Sequence, residues 1–180
     1  MTVITLTSKS SADDPSVSPR LRPILGSATI RILQDPVVVE TFQLATPYNV
    51  GTESRDEIID RYRVRNRGTT KKGDGARKIG MTILSDQIYD DPGICNADMR
   101  SFSAGVALRF RGPGTPRTAG TVEVLLGFQC DEVVFISRIP GQLPTKVNVA
   151  THTGRKALFS LGVELFPTDK DLLALRTTAD

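Results

Sequence analysis

GVALRFRGPGTPRTAGTVEVLLGFQC, residues 105–130, holds two runs of alternating residues joined by a Gly- and Pro-rich connection. In the first, Gly105–Arg111, Val106, Leu108 and Phe110 fall on one face and Ala107, Arg109 and Arg111 on the other. In the second, Thr121–Cys130, the apolar face carries Val122, Val124, Leu126, Phe128 and Cys130. Alternation of this kind is the mark of a strand, because successive side chains point to opposite sides of a sheet. The linking segment 112–120 then reads as the connection of a long hairpin. Asp131-Glu132 interrupts the pattern, and VVFIS resumes it as a strand or bulge.

Outward from this hairpin, Ile30 and Ile32 alternate with Thr29 and Arg31, and after Asp35-Pro36 the run VVVETFQL is β-branched strand material. Ser54 with Glu57 suggests a capped helical turn over 55–60. Arg61–Arg67 is expected as a strand with Arg61, Arg63, Arg65 and Arg67 on one wet face and Tyr62 and Val64 on the other. Gly68–Gly75 reads as a loop with Asp74 as helix N-cap, and residues 75–88 as an amphipathic helix stopped by Asp91-Pro92-Gly93. Lys146–Ala150 is a candidate last strand. The stripe Ala157, Leu158, Leu161, Leu165 and Phe166 predicts a helix ended by Pro167, and the box Thr168–Asp171 leads into another.

Neighbouring strands with segregated helices define an α+β fold: one antiparallel sheet of about five or six strands, with two or three helices on one face. The 180 residues suffice for one core, here an aliphatic one, since Trp is absent and aromatic residues are few. Residues 1–22, rich in Ser, Asp and Pro between 8 and 20, are expected as a flexible lead-in, and 23–180 as a single domain. No run approaches the ~18 apolar residues of a membrane span, and the first residues lack a secretory pattern. The expected compartment is the cytoplasm, or the exterior if a leader precedes the chain.

Charge is unevenly spread. RYRVRNRGTTKKGDGARK, residues 61–78, holds eight of the 23 basic residues against one acid, Asp74, so the remainder of the chain is net acidic. Such a segment is either a solvated, charge-guarded strand and loop or a surface for an acidic partner. The candidate binding residues are Arg61, Arg63, Arg65, Arg67, Lys71 and Lys72. Nucleic acid is less favoured as partner, because Tyr62 alone interleaves as an aromatic and no nucleic-acid motif is present. The loop 68–75 lacks the Gly-Lys-Ser/Thr ending of a P-loop, and Asp74 would sit where an anion belongs. A small-molecule binder or small enzyme of unassigned class is the remaining alternative, with a pocket away from the Arg strand.

Cys95 and Cys130 are the only cysteines. They admit either a disulfide or two reduced thiols; a catalytic thiol would need His152, the single histidine, as base, and nothing evident orients it. Asp90-Asp91 and Asp131-Glu132 are adjacent in sequence and point apart, so they make no acid/base pair. No metal, cofactor or catalytic residue is expected, and the oligomeric state is not legible.

Tyr62-Arg-Val, a basic loop into a helix, Cys95, SFSAGVALRF, TVEVLLGFQCDEVVF and a helix ending FPTDKDLLAL together resemble a group of small uncharacterised bacterial proteins. These share a Cys, a short gap and a G-[IV]-x-[LF]-R strand, then a C-F-x-C-type strand and a C-terminal helix. The resemblance spans roughly residues 28–176 and implies an α+β fold with no known activity. Cys95 and Cys130 match the first and last Cys of the pattern, and Gly127 stands where the middle Cys would be.

Overall fold

The computed structural model describes residues 17–45, 57–89, 105–114, 120–128, 132–139, 144–148 and 152–177. Residues 106–111 and 121–126 pair with each other near the middle of the sheet. β1 (Val38–Leu44) is followed by β2 (Ile58–Ile59), β3 (Tyr62–Arg67), β4 (Lys71–Lys72), β5 (Val106–Arg111), β6 (Thr121–Gly127), β7 (Glu132–Ser137) and β8 (Thr145–Asn148). They form a single curled antiparallel sheet in the order β2-β3-β1-β5-β6-β7-β8, with the short β4 also pairing β1. Among the described residues four helices accompany it: α1 (Arg22–Gln34), α2 (Gly73–Leu84), α3 (His152–Leu165) and α4 (Lys170–Thr177). The fold is α+β. None of the described helices is long and apolar enough to cross a membrane.

The alternation read in β5 and β6 decides which face meets the helices. Val106, Leu108, Phe110, Val122, Val124 and Leu126 join Val133 and Phe135 of β7 in one cluster with apolar residues of all four helices. The register explains this, since Leu108 lies opposite Val124 and Phe110 opposite Val122, so one pleat face is apolar across neighbouring strands. The other face is not simply wet. Phe42, Leu44, Ile59, Tyr62, Ala107, Leu125, Val134 and Ile136 make a second, smaller buried cluster there. β6 and β7 are therefore buried on both sides, which a one-sided sheet does not require.

Four expectations change in the fold. Residues 28–32 are not a strand but the second half of α1, whose buried Leu25, Thr29, Ile32 and Leu33 follow helical spacing. A four-residue alternation of Ile and Thr was outweighed by the longer period. Gly26, at φ 68°, breaks the helix between its halves, a conformation that glycine alone takes without strain. Residues 58–63 form a tight β2–β3 hairpin rather than a helical turn, with Ile59 opposite Tyr62 and Asp60 at φ 57°; Asp tolerates this left-handed region. α2 begins at Gly73 with Lys72 at the N-cap, so Asp74 lies in the first turn and does not cap. At α4 the cap is Asp169, whose carboxylate accepts the N–H groups of Asp171 (2.9 Å) and Leu172 (3.2 Å).

The chain is also packed from earlier than expected. Val17, Ser18 and Leu21 are fully buried, so 17–22 belongs to the folded body and not to a flexible lead-in; residues 1–16 lie outside the described residues. Ser18 N–H donates to the Leu84 carbonyl (2.8 Å) and its hydroxyl to Asp86 (2.7 Å), while Arg20 donates to the Tyr89 carbonyl. These bonds tie the segment to the end of α2 and to the 3-10 turn Asp86–Ile88 that follows.

Tyr89 at this corner is buried, and its hydroxyl donates to the Ile83 carbonyl at 2.6 Å. Burial pushes its ionisation well above the ordinary tyrosine value. Above about pH 10 the unfolded chain loses this proton while the native state keeps it. The unfolded state then binds fewer protons, so stability falls as pH rises. Tyr89→Phe is expected to flatten that alkaline fall and to cost about 1 kcal/mol at neutral pH. Urea unfolding at about pH 8 and about pH 11 checks it, and an unchanged alkaline slope in the variant would refute it.

Candidate functional site

The basic segment forms an edge of the sheet. β3 and β4 both pair with β1 on the side opposite β5. β2 covers only Tyr62 and Arg63. Val64 N–H still donates to the Glu57 carbonyl (2.9 Å), so among the described residues it is Arg65 to Lys72 that has no strand on its outer side. The edge is irregular in two places. Gln43 faces Asn66 but Leu44 faces Val64, so Arg65 is an extra residue. Between the pairs Phe42–Arg67 and Val39–Lys71, three residues on the edge oppose two on β1. Bulges of this kind twist an edge and re-aim side chains.

The first bulge overturns the expected Arg face. Arg67 stands opposite Phe42 and shares the face of Leu44, Val64 and Tyr62, whereas Arg63 stands opposite Ile58 on the other side. Arg65 turns to a cleft shared with Gln43. Arg61, in the turn, lays its guanidinium 5.5 Å from the Tyr62 ring. Lys71 and Lys72 lie opposite Val39 and Val38, on opposite faces. The four arginines are thus not aligned; one inserted residue reverses the side of everything after it.

Four of the segment's eight cations meet carboxylates from elsewhere in the chain. Arg65 pairs with Asp171 (3.5 Å), Arg67 with Glu57, Arg77 with Asp35 (3.0 Å) and Lys78 with Glu164 (3.4 Å). Lys71 and Lys72 have no carboxylate partner among the described residues.

On the second face a ladder of alternating charge crosses the strands. Glu57 bridges Arg67 and Arg109 (2.8 Å to the latter), and Glu123 bridges Arg109 (3.0 Å) and Arg138 (2.9 Å). Arg109 and Glu123 are directly opposite in the β5–β6 register, and the Glu123 side chain is only 5% exposed. The Arg109 guanidinium also lies 4.9 Å from the Phe42 ring centre. Burial alone would lower the pKa of Arg109, but hydrogen bonds and charge from Glu57 and Glu123 outweigh it and raise the value. Arg111 binds Glu40 through two nitrogens, at 3.2 and 2.9 Å. Each of these carboxylates is held by guanidinium groups, so the ladder offers no free base for acid/base chemistry.

A third feature escaped the sequence. Gln43, Arg65, Asn66, Phe166, Thr168, Asp169, Lys170 and Asp171 line an open cleft of about 340 Å³ between the sheet edge and the α3–α4 corner. Its only advance signal was Asn66, an uncharged residue inside the Arg run. Among the described residues no group of three or more His, Cys, Asp or Glu is placed to hold a metal. Cys95 and Cys130 lie outside the described residues, and so do Asp90, Asp91 and Asp131; His152 opens α3.

No family model, no curated protein and no solved structure matches this chain.

Proposed function

We propose that this protein is a protein-binding module whose basic edge, Arg65 to Lys72, takes an acidic segment of a partner protein. The observation that carries this is the pair Lys71 and Lys72, two lysines without carboxylate partners among the described residues, on a strand edge that nothing described covers. Arg65 and Arg67 precede them, both well exposed. Four cations here meet two paired carboxylates, which leaves an excess of positive charge. Both bulges and the like charges oppose pairing of this edge with a second copy of itself. Recognition therefore runs through side chains rather than through strand addition.

Protein is favoured over nucleic acid because the segment's one aromatic residue, Tyr62, is fully buried. It offers no platform on which a base could stack. The test is retention on immobilised polyglutamate and on heparin at low salt. Wild type is expected to be retained on polyglutamate, and Lys71→Glu/Lys72→Glu to bind about tenfold more weakly. Equal elution of the two proteins overturns the proposal. A steep salt slope on single-stranded DNA, stronger than on polyglutamate, would replace the acidic protein with nucleic acid.

A further inference from the structure

The cleft beside the first bulge carries a separate inference. Its groups come from three places in the chain: Gln43 on β1, Arg65 and Asn66 at the bulge of β3, and Phe166 to Asp171 at the α3–α4 corner. Of its two carboxylates, Asp169 is spent. One oxygen accepts the Gln43 amide at 2.6 Å, and the other accepts the two N–H groups at the start of α4. Asp171 is 83% exposed and meets Arg65 only at 3.5 Å. Lys170 has no carboxylate partner, and neither the Asn66 amide nor the Thr168 hydroxyl has a side-chain partner, among the described residues.

The cleft thus sets two cations against two carboxylates. Asp169 is engaged by the Gln43 amide and the start of α4, and Asp171 meets Arg65 only loosely. Lys170, the Asn66 amide and the Thr168 hydroxyl are left without side-chain partners among the described residues. We infer that this cleft binds a small carboxylate, held between Arg65 and Lys170, with the Asn66 amide donating to it. Arg65 presents a planar fork suited to a carboxylate, and Lys170 supplies a point charge. Asp171 is the resident competitor for Arg65. Alternation from Arg63 already sets Arg65 on the Gln43 side of the sheet, and the bulge keeps Asn66 beside it there while moving Arg67 to the other side. The inference shares Arg65 with the basic edge but does not rest on that reading, because Lys71 and Lys72, which carry it, do not line the cleft.

Two sources could present such a carboxylate: a free small acid, or an Asp or Glu side chain of a protein segment. Binding of glutarate, of the neutral analogue glutaramide and of a blocked peptide of alternating Glu and Ser would be followed by NMR shifts of the Asn66 and Lys170 amides. Glutarate is expected to bind and glutaramide not. Lys170→Ala should weaken glutarate about tenfold, as for loss of one charge-assisted contact. Asp171→Asn should tighten it several-fold by releasing Arg65, an effect that a merely structural role of Asp171 would not produce. Both positions are exposed, which keeps the variants folded, and circular dichroism verifies it.

Lys71→Glu/Lys72→Glu should leave glutarate binding unchanged even where it abolishes retention on polyglutamate. Competition between peptide and glutarate assigns the cleft to a protein side chain, and its absence assigns it to a free acid. Equal binding of glutaramide, or an Asp171→Asn variant no tighter than wild type, overturns the inference.

Discussion

Gly80→Ala is expected to lower the stability by about 3 kcal/mol, although alanine is the better helix former by about 1 kcal/mol. A Cβ at position 80 would lie 1.8 Å from the carbonyl oxygen of Leu33 and 2.9 Å from its carbonyl carbon. Both atoms are backbone atoms of α1, so no rotamer change relieves the clash. α1 and α2 must move apart, and Leu33, Ile79 and Ile83, all in the main core, must loosen with them. For a domain of this size the loss corresponds to a melting point lower by about 6–12 °C. Gly75→Ala is the matched control. Its added Cβ meets nothing nearer than the Lys71 side chain at 3.9 Å, so it should leave stability unchanged or raise it by up to about 1 kcal/mol. Urea unfolding of both variants decides the matter, and a Gly80→Ala protein as stable as Gly75→Ala would show that the helices do not cross this closely.

Loss of Glu123 is the second large effect. Glu123→Leu should cost about 3 kcal/mol, since it strips the shared carboxylate from Arg109 and Arg138 at once. Arg138 is more than half exposed and can turn to water. Arg109, only 17% exposed, keeps Glu57 and nothing else of opposite charge in the ladder. The penalty is mostly that of an under-compensated cation held away from solvent, not the net worth of the original pair. Adding Arg109→Met should therefore recover at least half of the loss, and a double-mutant cycle by denaturation measures this. A double variant no more stable than Glu123→Leu alone would mean that β6 needs the carboxylate for another reason.

The two effects differ in how far they could be foreseen. Arg109 was placed on the polar face of its strand from alternation alone, and it is there, directly opposite Glu123. Glu57 was instead expected to cap a helical turn, and no local pattern could assign it to a guanidinium of β5. Gly80 reads as an ordinary residue of an amphipathic helix until α1 is seen to cross it. The candidate cations show the same limit. Their number was plain from the chain, but whether each has a partner depends on Asp35, Glu164 and Asp171, which lie far away in sequence.

What the chain determines by itself is local and periodic. Hydrophobic alternation set the inner faces of β5 and β6, the apolar stripe set α3, and the turn residues set where β5 and α3 stop, whereas β6, expected to run to Cys130, ends at Gly127 and Glu132 already opens β7. These survive because the side-chain period of a strand or helix is a property of the backbone, whatever packs against it. Tertiary structure decided the rest. It made residues 28–32 helical by packing α1 against α2, buried the second face of β6 and β7 by curling the sheet, and split the Arg run by one extra residue in β3. Each of these depends on groups remote in sequence, because register, burial and charge pairing are energies between elements and not within them.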